Sequence, residues 1–77
     1  KVRFKVEKVD DQFMVTGPEI KKWVAMTNFD NFDATDRFYR IIKRMGVVKA
    51  LKKLGVKTGD KVYCEDYELT FDETLEV

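Results

Sequence analysis

Basic side chains are concentrated in one segment of this 77-residue chain. Residues 37–59 contain eight lysines and arginines and no carboxylate, whereas residues 60–77 contain one lysine and seven carboxylates. Three of the arginines stand at i, i+3 and i+7, which places them on one side of a helix. Such a cluster attracts phosphates or acidic surfaces. The candidate contact residues are Arg37, Arg40, Lys43, Arg44, Lys49, Lys52 and Lys53.

A simpler interpretation of these cations stays open. Exposed helix faces commonly carry charge that contributes little stability, and here the cations would only balance the acidic C-terminal segment. The sequence also places no aromatic residue among them for base stacking, because Phe38 and Tyr39 belong to the predicted helix itself. No strand carries the aromatic motif of an RNA-recognition domain.

Catalytic chemistry has few candidates in this composition. The chain has no histidine, which excludes imidazole bases, triads that need histidine, and imidazole zinc ligands. It also lacks the GxxxxGK[ST] loop that cradles nucleotide phosphates. The carboxylates of Asp30, Asp33 and Asp36 fit helix capping better than a calcium loop. Cys64 lies two residues after Val62, on the same inward side of a predicted strand, and is predicted to be a core residue. We therefore predict no catalytic, cofactor, metal or small-molecule site in this chain.

Alternating hydropathy predicts two hairpins at the two ends of the chain. Val2, Phe4 and Val6 alternate with charged residues, as in a half-buried strand, and residues 13–15 supply its partner. Residues 62–64 and 67–71 form the second pair, joined by a short acidic turn. Each hairpin is expected to present one apolar and one polar face.

The segment between the hairpins has helical periodicity. A short helix is expected after Pro18, which suits a first helical turn. The longest helix carries apolar residues at 34, 38, 41, 42 and 45, with Asp30 or Asn31 as its cap. Gly46 separates it from a third helix. The order β-β-α-α-α-β-β predicts an α+β fold in which helices cover one face of a small, mainly antiparallel sheet. The strand order stays open.

Length and composition limit the organisation of the chain. A protein of 9.1 kDa with 44% hydrophobic residues and a net charge of +1 is expected to form a single domain over residues 1–77. Its one cysteine and the absence of an apolar run long enough to cross a bilayer predict a cytoplasmic location and no membrane partner. The missing initiator methionine indicates a piece of a longer protein.

The stretch RMGVVKALKKLGVKTGDKVYCEDYELTF, from Arg44 to Phe71, resembles the C-terminal domain of the Obg family of ribosome-associated GTPases. Its most specific part is the pattern GVxxALxxxGVxxGDxV, and the resemblance extends upstream to about Phe4. The chain departs from the family at Phe32, where a polar or acidic residue is usual, and at Cys64, where isoleucine is favoured.

The resemblance implies a parent protein with a glycine-rich N-terminal domain, a central GTPase domain that binds GTP and Mg²⁺, and this third domain. It implies a role in large ribosomal subunit assembly and in stress or growth control. The residues that bind the nucleotide would lie outside the 77 residues, so no catalytic position carries over and the chain is not expected to be an enzyme.

The expected function is therefore an accessory or regulatory interaction domain. Its implied partners are the large ribosomal subunit or ribosomal RNA, its own GTPase domain, and regulatory proteins. The alternative is an autonomous RNA-binding module that uses Arg37, Arg40, Arg44 and Lys52. A third hypothesis is that the basic face docks an acidic tail of another protein or orients the domain on its GTPase neighbour.

Overall fold

The computed structural model describes residues 4–72. Its seven elements confirm the predicted order and the α+β class. The predicted start of the first strand at Val2 lies outside the described residues. The elements are β1 (Lys5–Val9), β2 (Gln12–Thr16), α1 (Pro18–Met26), α2 (Phe32–Met45), α3 (Val47–Lys53), β3 (Lys61–Cys64) and β4 (Tyr67–Thr70).

The four strands form one sheet in the order β1-β2-β3-β4. Two of its three pairings are antiparallel hairpins, as predicted, but the central strands β2 and β3 run parallel. Parallel neighbours cannot be joined by a tight turn and need a long crossover connection. The three helices provide that connection, so the helical block and the sheet order are parts of one topological arrangement.

One face of the sheet is buried beneath the helices. Phe13 pairs in register with Val62, and Val15 pairs with Cys64, so all four side chains lie on the same face. Each of them is 1% exposed or less. The alternate positions of these two strands are exposed or half-buried, which confirms that the helices cover a single face.

The helices contribute the other half of the core. Ile20 of α1, Phe38 and Ile42 of α2, and Val47 and Leu51 of α3 are each 1% exposed or less. The helical periodicity of the sequence predicts Phe38 and Ile42 on the apolar face of α2, and both are buried. Among the described residues, no helix combines the length and apolar character needed to cross a bilayer.

Some predicted core positions lie nearer the surface. The apolar spacing after Gly46 predicts Leu54 as an inward residue, but Leu54 follows the last residue of α3 and is 39% exposed. Val48, which that spacing does not predict, is buried. Ala34, Ile41 and Met45 of α2 are half-buried. The inward face of α2 is therefore narrower than predicted, and part of its apolar stripe remains accessible.

Two residues fix the ends of the long helix. The side-chain oxygen of Asn31 accepts a hydrogen bond from the backbone N–H of Ala34 at 2.9 Å, so Asn31 and not Asp30 is the cap. At the other end, Gly46 has φ +98° and joins α2 to α3. A residue with a side chain adopts this left-handed conformation at a cost, which explains the glycine at the junction of the two basic helices.

Candidate interaction surface

The seven predicted contact residues all lie on α2 and α3, and all except the half-buried Lys43 are exposed. The structure separates six of them into two depressions. The first, called here the arginine groove, lies between α1 and α2, has a volume of about 450 Å³, and is lined by Glu19, Trp23, Arg37, Arg40, Ile41, Arg44 and Met45. The second, called here the lysine face, is lined by Lys43, Val48, Lys49 and Lys52. Lys53 lies outside both.

The arginine groove has an apolar floor and a basic rim. Trp23 reaches it from α1, while Ile41 and Met45 reach it from successive turns of α2, and all three are half-buried. An adjoining depression of about 70 Å³ shares Trp23 and Ile41 and adds Met26 and Ala34. The apolar surface therefore continues along most of the α1–α2 contact.

The arginines of the rim differ in their partners. The guanidinium of Arg40 forms an ion pair with the carboxylate of Asp36 at 2.7 Å, one helical turn away. Within residues 4–72, the structure records no ion pair for Arg37 or Arg44. These two residues are separated by two turns, about 10 Å along the helix axis. A partner that spans the groove would therefore meet two guanidinium groups about 10 Å apart.

An aromatic residue does lie among the arginines, so the prediction that none interleaves with them is wrong. Trp23 belongs to α1 and lies in the same groove as Arg37 and Arg44. Helical spacing along α2 alone cannot show this, because the neighbourhood is created when α1 packs on α2. The available signal was the placement of Trp23 with Ile20 on the apolar side of α1.

The lysine face is a shallower feature, with a volume of about 300 Å³. Lys43 extends from α2, and Lys49 and Lys52 extend from α3, around the nearly buried side chain of Val48. Lysine ammonium groups act as point charges, whereas arginines form bidentate contacts with planar anions. The two depressions thus present the same charge with different recognition chemistry.

The single thiol of the chain lies in the core. Cys64 is 0% exposed, and burial, with a smaller contribution from the charge of Glu65, raises its pKa to about 12. It is therefore a protonated core residue at neutral pH. In residues 4–72, no three cysteine or carboxylate side chains lie close enough to hold a metal ion.

Comparison with known proteins gives a consistent set of similarities. A family profile described as "Domain of unknown function (DUF1967)" matches residues 4–71. Proteins named GTPase Obg are 47% identical over 70 residues in Syntrophomonas wolfei, 44% over 71 residues in Desulfitobacterium hafniense strain Y51, and 43% over 70 residues in Brevibacillus brevis. These alignments cover 91–92% of this chain but only 16–17% of each relative. No solved structure matches the chain.

Proposed function

This chain belongs to the DUF1967 family, the C-terminal domain of Obg GTPases, and we propose that it acts there as a non-catalytic interaction module. In this proposal, GTP and Mg²⁺ bind to a separate GTPase domain of the parent protein. The module contributes contacts that position or regulate that domain.

The observation that carries the proposal is the exposed positive surface of α2 and α3. Six of its seven candidate residues are exposed, and no carboxylate occurs between positions 37 and 59. Clustered positive charges repel one another in the free domain, and this repulsion is relieved when an anionic partner binds. Because the only cysteine is buried and protonated, contact is a better account of this surface than catalysis.

The partner proposed for this module is the large ribosomal subunit, within a cytoplasmic role in its assembly. Ribosomal RNA is a polyanion, and each phosphate contact by lysine or arginine makes binding more sensitive to salt. The lysine face is suited to such contacts because it offers point charges without geometric selectivity. The GTPase domain of the parent and regulatory proteins remain further partners of the same module.

The test uses the intact GTPase that carries this domain. Lys49→Glu combined with Lys53→Glu is expected to weaken cosedimentation with large ribosomal subunits by at least about tenfold and to flatten its salt dependence. The matched control is Lys5→Glu combined with Lys8→Glu, which makes the same charge change on exposed positions of β1. Equal cosedimentation of both variants and the unmodified protein would exclude the proposal.

The absence of catalysis is tested separately with the 77-residue chain. GTP mixed with this chain and Mg²⁺ should be hydrolysed no faster than in buffer. Turnover above the buffer rate that persists through further purification would contradict the non-catalytic assignment.

A second candidate function is autonomous RNA binding through the arginines and Lys52. Its supporting observation is that the ring of Trp23 lies in the same groove as Arg37, Arg40 and Arg44, since stacking on aromatic rings between cations is a common mode of single-strand binding. This candidate predicts that the 77-residue chain alone binds ribosomal RNA fragments. Loss of all RNA binding on removal of the parent's other domains would exclude it.

A further inference from the structure

We infer that the arginine groove binds a short acidic protein segment that carries large apolar side chains. This inference rests on the proposed function, because it assigns a partner class to one part of the interaction module. The lysine face is not involved in it.

The shape of the groove fits a segment of protein chain. Its apolar floor extends from Met45, past Ile41 and Trp23, to Ala34 and Met26. The part of α2 between Ala34 and Met45 is about 16 Å long, which corresponds to about three turns of a helix lying alongside it. A groove between two helices with an apolar floor of this length is a common docking site for an amphipathic helix.

The rim of the groove selects an acidic segment. Arg37 and Arg44 flank the floor, and neither has an ion-pair partner within the described residues. Carboxylates form short, often bidentate hydrogen bonds with guanidinium groups, so two acidic residues about two helical turns apart in the segment would meet both arginines. Arginine and tryptophan together are also typical of the residues that dominate binding energy at protein interfaces.

Two features of the groove favour protein over RNA. The ammonium of Lys22 lies over the ring of Trp23, 5.6 Å from its centroid, and so competes with a stacked base for that ring. The aliphatic part of the floor, Ile41 and Met45, offers a base no hydrogen-bond partner but readily packs against leucine.

The experiment uses Trp23 as its reporter, because it is the only tryptophan in the chain. The probe is a synthetic peptide of about 14 residues with leucine at positions on one helical face and glutamate elsewhere. It is titrated into the 77-residue chain while tryptophan emission is recorded. Two further probes are the same peptide with serine in place of leucine, and a uridine oligonucleotide of similar length.

The leucine–glutamate peptide is expected to bind and to shift Trp23 emission to shorter wavelength, as the ring becomes buried. Arg37→Glu combined with Arg44→Glu should weaken binding by at least about tenfold. Lys49→Glu combined with Lys53→Glu makes the same charge change outside the groove and should leave the affinity within about twofold. Ile41→Asn tests the floor, with circular dichroism to confirm folding, and should also weaken binding.

Several results would overturn the inference. Equal binding of the serine peptide would show that charge alone is recognised, and equal effects of the two charge-reversal variants would show that the groove is not the site. Tighter binding of the oligonucleotide with a response from Trp23 would assign the groove to RNA. Self-association of the chain that Arg37→Glu and Arg44→Glu abolish would assign it to a second copy.

The failure of this inference can be distinguished from failure of the proposed function. The groove variants are predicted to lose peptide binding, whereas the Lys49 and Lys53 variants are predicted to lose cosedimentation with ribosomal subunits. If the peptide fails to bind while the lysine variants still lose cosedimentation, the groove assignment is wrong and the interaction module stands.

Discussion

The carboxylate of Glu65 accepts a hydrogen bond from the backbone N–H of Gly17 at 2.8 Å, although 48 residues separate them. Glu65 occupies the β3–β4 turn with φ 56°, and its own N–H donates to the carbonyl of Val15 at 2.9 Å. A positive φ costs a residue with a side chain about 1 kcal/mol or more. The two hydrogen bonds offset this cost and attach the C-terminal hairpin to the start of α1.

Replacing Glu65 with alanine should lower the free energy of unfolding by about 1 to 3 kcal/mol, because the N–H of Gly17 loses a charged acceptor. Glu65→Gln keeps an acceptor oxygen and should lose less. Urea denaturation followed by circular dichroism measures both changes. The exposed neighbour Asp66, changed to asparagine, should remain within about 0.5 kcal/mol. A loss equal to that of Glu65→Ala would contradict the assigned role.

Truncation of Phe29 is expected to destabilise the protein much more than truncation of Phe32. The ring of Phe29 stacks on the ring of Tyr67 with centroids 3.7 Å apart and contacts Phe38 edge-on at 5.2 Å, whereas Phe32 is 83% exposed. Phe29→Ala should destabilise the protein by about 2 to 3 kcal/mol, and Phe32→Ala by less than about 0.5 kcal/mol. Thermal melting of the two variants makes the comparison. Similar melting temperatures would show that the aromatic contact adds nothing.

The cap of α2 provides a local test at the basic helix. Asn31→Ala should cost about 1 kcal/mol, because the N–H of Ala34 loses its acceptor, and Asn31→Asp should retain most of the stability. Asp30→Ala serves as the control, since Asp30 does not cap the helix. Chemical denaturation of the three variants ranks them. If the Asp30 variant were the least stable, the cap would have been assigned to the wrong residue.

Alkaline pH should destabilise the protein through Cys64. The thiol of the unfolded chain ionises near its ordinary pKa of 9.0, whereas burial raises the pKa in the folded protein to about 12. The folded state therefore retains a proton that the unfolded state has lost, so this contribution to stability is complete below about pH 9 and is lost as the pH rises toward about 12. Between about pH 8 and about pH 11, the free energy of unfolding should fall more steeply with pH for the unmodified protein than for Cys64→Ala. Urea denaturation at a series of pH values measures this slope. The same pH dependence in the two proteins would show that ionisation of the thiol does not contribute to it.

The native thiol should also resist modification. With a side chain that is 0% exposed and a raised pKa, Cys64 should react with a disulfide reagent near neutral pH only as fast as the protein unfolds. Adding urea should release the full reactivity. Rapid modification of the native protein would mean that the hairpin opens readily.

The sequence was sufficient to predict the order of elements, the fold class and the inward placement of Val62 and Cys64, because these follow from local periodicity. The parallel pairing of β2 and β3 could not be predicted. Apolar and polar residues alternate around Phe13 and around Val62 in the same way whether the two strands run parallel or antiparallel. The composition of the arginine groove was likewise only partly predictable, because local periodicity does not show how helices pack. The exposure of Arg37 and Arg44 follows from their helical spacing, but the presence of Trp23 beside them depends on how α1 packs on α2.

The side-by-side placement of β2 and β3 has a consequence for synthesis of the protein. An isolated hairpin is marginal in water, so β1 and β2 gain a neighbouring strand only when β3, which ends at Cys64, is available. During translation, the first hairpin and all three helices are therefore synthesised before the four-stranded sheet can form. Pairing β2 with β3 brings together strands that are far apart in sequence, which favours slow folding for a protein of this size. Until that pairing forms, only the helices can cover the apolar side of the first hairpin.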